Sequence, residues 1–223
     1  MVVDLTEKGD IPLNRTWIDD FIEKITEVEG HFEVYVSIFL KYENQFVFGI
    51  KDSKDWVYVD DKRKASVTAF GGKPEDGVDV NNFLKKYCIE KLNIKVDIND
   101  SPRTYIDYHH RLKKLPDISP SEEKVRPQMI TIVQNPKHLA IPNSLIFTFS
   151  GHTKNKPDSK HYSALFLARE QVLVQMFKKE KTAQELKKSG AVFYERIKIP
   201  DNLLLYPTGS LNSLLRFLSY EVF

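Results

Sequence analysis

The stretch GGKPEDGVDVNNFLKKYCIEKLNI, residues 71–94, decides how this sequence folds. Its first seven residues hold three glycines and a proline, a composition typical of a loop. From Val80 onward, apolar side chains recur every three or four residues, which predicts a helix that ends at about Leu92. Asp79 directly precedes that helix and is a residue type that caps helix N-termini. The stretch is therefore interpreted as a glycine-rich loop that leads into a helix.

Strand patterns lie on both sides of this stretch. Alternating apolar residues at 32–40 and 46–50 predict a hairpin with its turn at Tyr42–Asn44. A weaker pattern at 57–70 is interrupted by the charged turn Asp60–Lys64. After the predicted helix, further strands are expected near 94–98, 103–109, 129–134, 145–150, 161–168 and 191–199. Helices are expected at 17–28, at 170–189 as one or two segments, and in a closing segment that Ser210 caps.

The order of these elements predicts an α/β fold in which helices cover both faces of a mixed central sheet. We expect a single domain over residues 1–223. Its expected parts are a helical N-terminal extension at 1–30, a core at 31–170, a loop insertion at 111–128, and a C-terminal extension of helices and strands at 171–223. The insertion is expected because 111–128 is polar and holds three prolines, and long loops of this kind are often functional.

Composition limits the classes of function. The 33 basic and 31 acidic side chains leave a formal charge of +2. This excludes nucleic-acid binding driven by the overall charge of the protein, but not binding through a local basic patch. Cys88 is the only cysteine, so the chain has no internal disulfide and no multi-cysteine zinc site. No apolar run approaches the roughly 20 residues that cross a bilayer, and the first ten residues lack a signal-peptide pattern. We therefore expect a cytoplasmic protein without a membrane partner.

Residues 72–94 resemble the Nudix box, the loop–helix–loop motif of the Nudix hydrolase superfamily. That motif reads Gly, five residues, Glu, seven residues, Arg-Glu-apolar-x-Glu-Glu-x-Gly-apolar. With Gly72 at the first position, the spacing is kept without a gap, and both Glu90 and Ile94 match the motif. The preceding loop and strand also look like those of the family, so the resemblance covers roughly residues 32–110. It implies a Nudix-like α/β/α sandwich with a mixed central sheet.

The acidic residues of the motif are largely replaced. Val78, Tyr87 and Lys91 stand at three Glu positions, and Lys86 stands at the Arg position. Together with Glu90, these five positions change from a charge of −3 in the motif to +1 here. Family enzymes hold Mg²⁺ on the Glu cluster, where the ion activates water and neutralises phosphate charge. The resemblance therefore implies a degenerate Nudix box that has lost metal-dependent hydrolysis by the standard ligands.

Two interpretations of the site stay open. In the first, relocated carboxylates rebuild a Mg²⁺ or Mn²⁺ site, with Glu90 as the catalytic and metal-binding residue and Glu75 and Asp79 as further ligands. Other acids that could join them are Asp76, Asp107, Glu122 and Glu123. In the second, lysine side chains and the helix N-terminus bind a phosphate-bearing ligand without metal. The residues assigned to ligand binding are Lys73, Lys86, Lys91, Tyr87, Gly71 and Gly72.

Two side chains of the predicted helix have a structural as well as a functional interpretation. Tyr87 either fills the space of the lost metal site or stacks on a nucleobase. Cys88 falls on an apolar position and is expected in the core rather than as a nucleophile.

Three functions remain open. The preferred one is a Nudix-fold protein that binds a nucleotide, a nucleoside-diphosphate-linked molecule, or an RNA or protein partner without hydrolysis. The alternative is a divalent-metal-dependent diphosphohydrolase that uses relocated carboxylates. The third is a structural subunit in which the closing helix and residues 111–128 serve as contact surfaces, for instance in a homodimer.

Overall fold

The computed structural model describes residues 32–75, 78–101, 103–108, 111–114, 125–135 and 142–221. Some of the predictions above lie outside these ranges: the helix at 17–28 and the acids Asp76, Glu122 and Glu123.

Within the described residues, fourteen strands form one mixed sheet that four helices accompany. The strands are β1 Phe32–Tyr42, β2 Gln45–Ile50, β3 Val57–Val59, β4 Lys62–Thr68, β5 Phe70–Gly72, β6 Asp97–Asn99, β7 Tyr105–Tyr108, β8 Arg111–Lys114, β9 Met129–Val133, β10 Asn143–Thr153, β11 Ala164–Ala168, β12 Lys181–Thr182, β13 Val192–Glu195 and β14 Leu204–Pro207. The helices are α1 Val80–Leu92, α2 Glu170–Lys178, α3 Ala183–Lys188 and α4 Ser210–Glu221.

Strands β1 and β10 form the centre of the sheet and pair in parallel along their full length. β1 also pairs antiparallel with β2, and β10 pairs antiparallel with β9. Beyond β9 lie β7, which runs parallel to it, and β8. The sheet is therefore mixed, as the order of elements predicts.

Each face of the sheet carries its own hydrophobic core. On one face, Leu84, Cys88 and Leu92 of α1 are fully buried against the strands. On the other face, the buried apolar residues of α2, α3 and α4 pack together against the strands. Helices thus cover both sides of the sheet, and the predicted α/β/α sandwich is confirmed.

The hairpin turn predicted at Tyr42–Asn44 is present, but of the turn predicted at Asp60–Lys64 only Asp60 and Asp61 lie in the turn, because Lys62–Lys64 belong to β4. Glu43 and Asn44 connect β1 to β2, and Asp60 and Asp61 connect β3 to β4, all four with positive φ angles between 46° and 60°. Two consecutive positive φ angles are the geometry that matches the right-handed twist of paired strands. Charged and polar side chains therefore take the turn positions that the sequence assigned to them.

Three predictions need correction. Residues 111–114 form β8, paired antiparallel with β7, so the expected loop insertion does not begin at residue 111. The segment 171–223 is not an appendage, because β12, β13 and β14 belong to the same sheet as β1. Ser210 is the first residue of α4, but its hydroxyl is hydrogen-bonded to the Ser37 hydroxyl at 3.1 Å rather than serving as the predicted cap.

In the part of the chain that the structure describes, no helix is long and apolar enough to cross a membrane.

Candidate functional site

Helix α1 begins and ends where the motif requires. The Asp79 carboxylate accepts a hydrogen bond from the Asn82 backbone N–H at 2.9 Å, which confirms Asp79 as the N-cap. Asn93 ends the helix in the left-handed conformation, with φ 54° and ψ 37°. Glycine is the usual residue there, and asparagine is the side chain that best replaces it. Asn93 thus takes, at the end of α1, the left-handed conformation that glycine usually supplies.

Cys88 lies on the inward side of α1 and is fully buried. Desolvation by burial raises the pKa of its thiol to about 12, so the reactive thiolate form is suppressed at neutral pH. This agrees with the prediction that Cys88 is a core residue.

Tyr87 belongs to a group of four aromatic side chains, which we call the aromatic cluster. The Tyr87 hydroxyl lies 3.0 Å from the hydroxyl of Tyr162, so the two phenols share a hydrogen bond. The Tyr87 ring centroid lies 6.2 Å from that of Phe83, and the Tyr162 ring meets Phe70 edge-on at 5.4 Å. The cluster comprises Phe70, Phe83, Tyr87 and Tyr162. A motif position for a metal-binding carboxylate is therefore occupied by a phenol that pairs with another aromatic side chain.

Tyr162 fits beside the sheet because residue 49 has no side chain. A Cβ atom at Gly49 would collide with the Tyr162 ring. Burial and the adjacent Tyr87 raise the pKa of the Tyr162 phenol above its ordinary value. The Tyr162 hydroxyl therefore stays neutral at physiological pH and contributes no charge that would attract a cation.

Glu90, the one acid that the motif retains, faces solvent. Its carboxylate lies 3.9 Å from the Lys86 ammonium one turn earlier, and the two side chains are 55% and 77% exposed. An ion pair this exposed to solvent contributes only a few tenths of a kcal/mol to stability. Lys86 and Glu90 therefore neutralise each other on the outer surface of α1.

The three predicted metal ligands do not converge. Asp79 and Glu90 are eleven residues apart on one helix, about 16 Å along its axis, whereas the ligands of one Mg²⁺ lie about 2.1 Å from the ion. Glu75 is exposed and precedes the helix. Among the residues that the structure describes, no three histidine, cysteine or acidic side chains are grouped as a metal would need. Glu75, Asp79 and Glu90 therefore do not form a common site for a Mg²⁺ or Mn²⁺ ion at α1 within the described part of the chain.

Asp107, another acid considered for relocation, lies on the opposite face of the sheet. Its carboxylate is 2% exposed and forms a salt bridge with Arg216 on α4, whose Nε donates a hydrogen bond to Oδ2 at 2.9 Å. The preceding residue, Ile106, packs into the core on the α1 side, and successive strand side chains point to opposite faces. Asp107 therefore cannot share an ion with Glu90.

The predicted ligand-binding lysines are spread over the surface around α1. Lys73 is 60% exposed and lies 3.1 Å from the Glu33 carboxylate. Lys86 is paired with Glu90, as described above. Lys91 is half-buried, one turn after Tyr87, and forms no ion pair with any described residue. Of the three lysines, Lys91 combines an unneutralised charge with a position next to the aromatic cluster.

Gly71 and Gly72, which were both predicted to bind the ligand, differ in the room that their surroundings leave for a side chain. Gly71 lies on β5 opposite Ser37 of β1, with φ 155°, and a Cβ atom there would collide with the Val36 carbonyl. Gly72 has room for a side chain, since its nearest neighbours would be Phe83 at 3.7 Å and Tyr87 at 4.0 Å. Gly71 is thus required by strand packing, and Gly72 lies against the aromatic cluster.

Sequence reasoning did not find Tyr162 as the partner of Tyr87. The two residues are 75 positions apart, and no local pattern connects them. The only local signal is Gly49, a glycine inside a strongly apolar strand, which often marks the close approach of another group.

No family model and no curated protein matches this sequence. The solved structures that are similar to the chain are mostly Nudix or MutT proteins. A MutT protein from Methanosarcina mazei has 9% identity and a TM-score of 0.45, over 87% of this chain and 98% of its own. A Nudix-family hydrolase from Clostridium perfringens has 11% identity and a TM-score of 0.42, over 65% and 86%. The dihydroneopterin triphosphate pyrophosphohydrolase of E. coli has 8% identity and a TM-score of 0.38, over 64% and 84%.

Proposed function

We propose that this chain is a Nudix-like protein that binds a nucleotide or nucleoside-diphosphate-linked molecule beside α1 without metal-dependent hydrolysis. The observation that carries the proposal is the set of contacts that the side chains of α1 make. The motif's remaining acid is paired with Lys86 in solvent, and the Tyr87 hydroxyl is bonded to Tyr162. A divalent ion needs several oxygen ligands around one point, and α1 does not offer them.

The charge of α1 supports a ligand that carries phosphate. Lys85, Lys86 and Lys91 against Glu90 give the helix a net charge of +2. Lys91 lies where the motif has an acid, so a positive charge stands at a position that serves metal binding in the family. A lysine at that position attracts a phosphate directly, as a point charge.

The aromatic cluster supplies the second half of the binding surface. Tyr87 and Phe83 are only partly buried, so part of each ring remains open to a ligand. An exposed aromatic edge beside a lysine suits a nucleoside attached to a diphosphate, since bases stack on aromatic rings with little regard to their identity.

Calorimetric titration of the purified chain with ADP-ribose in the presence of EDTA tests the proposal. We expect saturable binding without metal. Lys91→Glu should weaken that binding about tenfold or more, because it replaces a favourable charge contact with a repulsive one. Binding that appears only after Mg²⁺ is added would contradict the proposal, and so would an absence of binding by ADP-ribose, ATP and GTP alike.

Lys85→Glu is the matched control. Lys85 is exposed and lies two positions before Tyr87, so it faces a different side of the helix. The substitution changes the net charge of the chain by the same amount as Lys91→Glu. If the two variants weaken binding equally, the effect is one of overall charge and Lys91 does not contact the ligand.

A further inference from the structure

The loop between β10 and β11 carries three exposed lysines and packs against the end of α1. Residues 154–161, which we call the lysine loop, read KNKPDSKH, and Lys154, Lys156 and Lys160 are all exposed. The nucleotide site proposed above does not include this loop. The inference drawn from it therefore does not depend on the proposed function.

Hydrogen bonds hold the lysine loop against its neighbours. The backbone N–H of Asp158 donates to the Leu92 carbonyl at the end of α1, at 3.0 Å. Just before the loop, the Thr153 hydroxyl donates to the Lys95 carbonyl at 2.8 Å. Pro157, in the middle of the loop, is buried. Because the loop is anchored at these points, its exposed lysines are presented to a ligand without the entropic cost of ordering a free segment.

The same contacts place the loop beside two further lysines. Lys91 precedes Leu92 in the last turn of α1, and Lys95 lies between α1 and β6. On the other side of the loop, the Lys156 ammonium lies over the Tyr194 ring of β13, 4.4 Å from its centroid. No ion pair joins any of these lysines to a described residue. The group, which we call the lysine surface, comprises Lys91, Lys95, Lys154, Lys156 and Lys160.

The lysine surface concentrates the positive charge of the molecule. Residues 91–97 and 152–161 together hold five lysines against two aspartates, a net charge of +3 with histidine neutral. This exceeds the +2 of the whole chain, so the rest of the chain is close to neutral. A basic patch on an otherwise balanced protein is the pattern expected of a binding surface for a polyanion.

The acids on the two elements that flank the loop are paired with other lysines. Glu90, the acid of α1, lies 3.9 Å from Lys86, and Glu195, the acid of β13, lies 3.1 Å from Lys187. Neither of these partners belongs to the lysine surface. The charge of the surface is therefore available to a ligand.

The composition of the lysine surface favours a phosphodiester backbone over a protein or a membrane. Lysine binds phosphate as a point charge, whereas the core of a protein interface is depleted in lysine. Surfaces that insert into membranes add large apolar side chains to their basic residues. Among the described residues, none of the exposed large apolar side chains lies at 91–97 or 152–161. A flexible single strand can follow lysines on an irregular loop, whereas recognition in the groove of a duplex uses a helix or a β-ribbon.

We propose that the lysine surface binds the phosphodiester backbone of a single-stranded nucleic acid. The ammonium groups of Lys154, Lys156 and Lys160 contact phosphates where the strand crosses the loop, and those of Lys91 and Lys95 contact phosphates at the end of α1. Binding of this kind is electrostatic and does not select a base sequence. RNA and DNA share the phosphate, so both bind.

Fluorescence anisotropy with fluorescein-labelled oligo(U) and oligo(dT) of about 12 nucleotides, a length within the range of single-strand sites, tests the proposal in EDTA. We expect saturable binding of both probes that weakens as salt is added, with a slope of log K against log[salt] of about −0.7 for each phosphate contacted. The double variant Lys154→Glu with Lys160→Glu should weaken binding about tenfold or more and bring the slope closer to zero by about 1.4, because two phosphate contacts are lost.

Lys62→Glu with Lys188→Glu is the matched control. Both lysines are exposed, on β4 and α3, and the double variant changes the net charge of the chain by the same amount. We expect this variant to bind the probes nearly as well as the wild type. Equal losses in the two double variants, or no saturable binding of either probe by the wild type, would overturn the proposal.

Sedimentation with vesicles of phosphatidylcholine and phosphatidylserine separates a nucleic acid from a membrane as the partner. We expect the wild-type protein to stay in the supernatant at a salt concentration at which it binds the oligonucleotides. Sedimentation with the vesicles by a protein that does not bind either oligonucleotide would overturn the proposal.

Discussion

The two faces of the sheet differ in the kind of polar group that they bury. On the α1 face, the Tyr87 and Tyr162 hydroxyls satisfy each other, so the buried polar groups there are neutral. On the α4 face, the buried Asp107 carboxylate is held by Arg216. The comparison shows that, of these two contacts, only the one on the α4 face buries a charged pair.

This difference separates the roles of the two faces. On the α1 face, the helix is bounded by the Asp79 N-cap and the Asn93 C-cap, and its predicted metal ligands do not converge. The α4 face has a charge pair whose second oxygen is unused. Four predictions, three on stability and one on its pH dependence, sharpen or break this contrast.

The largest effect is expected on the α4 face. Asp107→Ala leaves the largely buried Arg216 guanidinium without its partner, and removing one partner of a buried ion pair costs about 3 to 5 kcal/mol of unfolding free energy. Urea denaturation measures the loss. The double variant Asp107→Ala with Arg216→Met should recover most of it, because both charges are then absent.

The control for this substitution is another acid–arginine pair. Asp100 and Arg126 approach to 2.8 Å, but Asp100 is 46% exposed, so Asp100→Ala should cost no more than about 1 kcal/mol. Equal losses for Asp107→Ala and Asp100→Ala would show that burial does not distinguish the α4 face.

The next largest effect is expected at Gly71 on the α1 face. Gly71→Ala forces a methyl group against the Val36 carbonyl, and the strands must separate to admit it, at a cost of about 2 to 3 kcal/mol. Thermal and urea unfolding check this value. Gly72→Ala is the neighbouring control and should be nearly neutral, since its methyl group would meet only ring edges at 3.7 and 4.0 Å. A neutral Gly71→Ala would return Gly71 to the list of ligand-binding candidates.

A smaller effect is expected in the aromatic cluster. Tyr87→Phe leaves the buried Tyr162 hydroxyl without a partner, which should cost about 1 to 2 kcal/mol of unfolding free energy. Adding Tyr162→Phe removes the unpaired group as well, so the double variant should be no less stable than the single one. A strictly additive loss in the double variant would mean that the two hydroxyls do not interact.

The smallest effect is a pH dependence at the sheet edge. The hydrogen bond from the Arg126 side chain lowers the pKa of the Asp100 carboxyl below its ordinary value. A folded-state pKa below the unfolded one stabilises the protein above the unfolded pKa, near 4, and this stability is lost as pH falls through the folded pKa. Asp100→Asn should therefore reduce the slope of unfolding free energy against pH below about pH 4. Asp55→Asn, at an exposed acid without an ion pair among the described residues, should leave that slope unchanged.

Much of the fold follows from local pattern. The helix after Asp79, the hairpin through Glu43 and Asn44, and the alternation of strands and helices are all present. These elements have strong periodicity or turn residues that act within a few positions. The strand at Arg111–Lys114 was missed because it is short and mostly charged, and a polar strand at a sheet edge has no apolar alternation to reveal it.

The site is less predictable than the fold because its decisive contacts join distant residues. The loss of acids from α1 is visible in the sequence, but the pairing of Tyr87 with Tyr162 is not. Asp107 was identifiable only as one acid among several, since its partner Arg216 lies 109 residues later. Which face of the sheet an acid occupies depends on strand register, and register follows from the packing of the whole sheet.

The central claim of the proposed function is that α1 does not support metal-dependent hydrolysis. Phosphate release tests it most directly in the wild-type protein and in Glu90→Gln, with Mg²⁺ or Mn²⁺ present. The coupling enzyme is alkaline phosphatase for ADP-ribose and inorganic pyrophosphatase for nucleoside triphosphates, because alkaline phosphatase would hydrolyse the triphosphates itself. The account predicts the same background release for both proteins and for a sample without either. Metal-dependent turnover by the wild type that Glu90→Gln abolishes would contradict it.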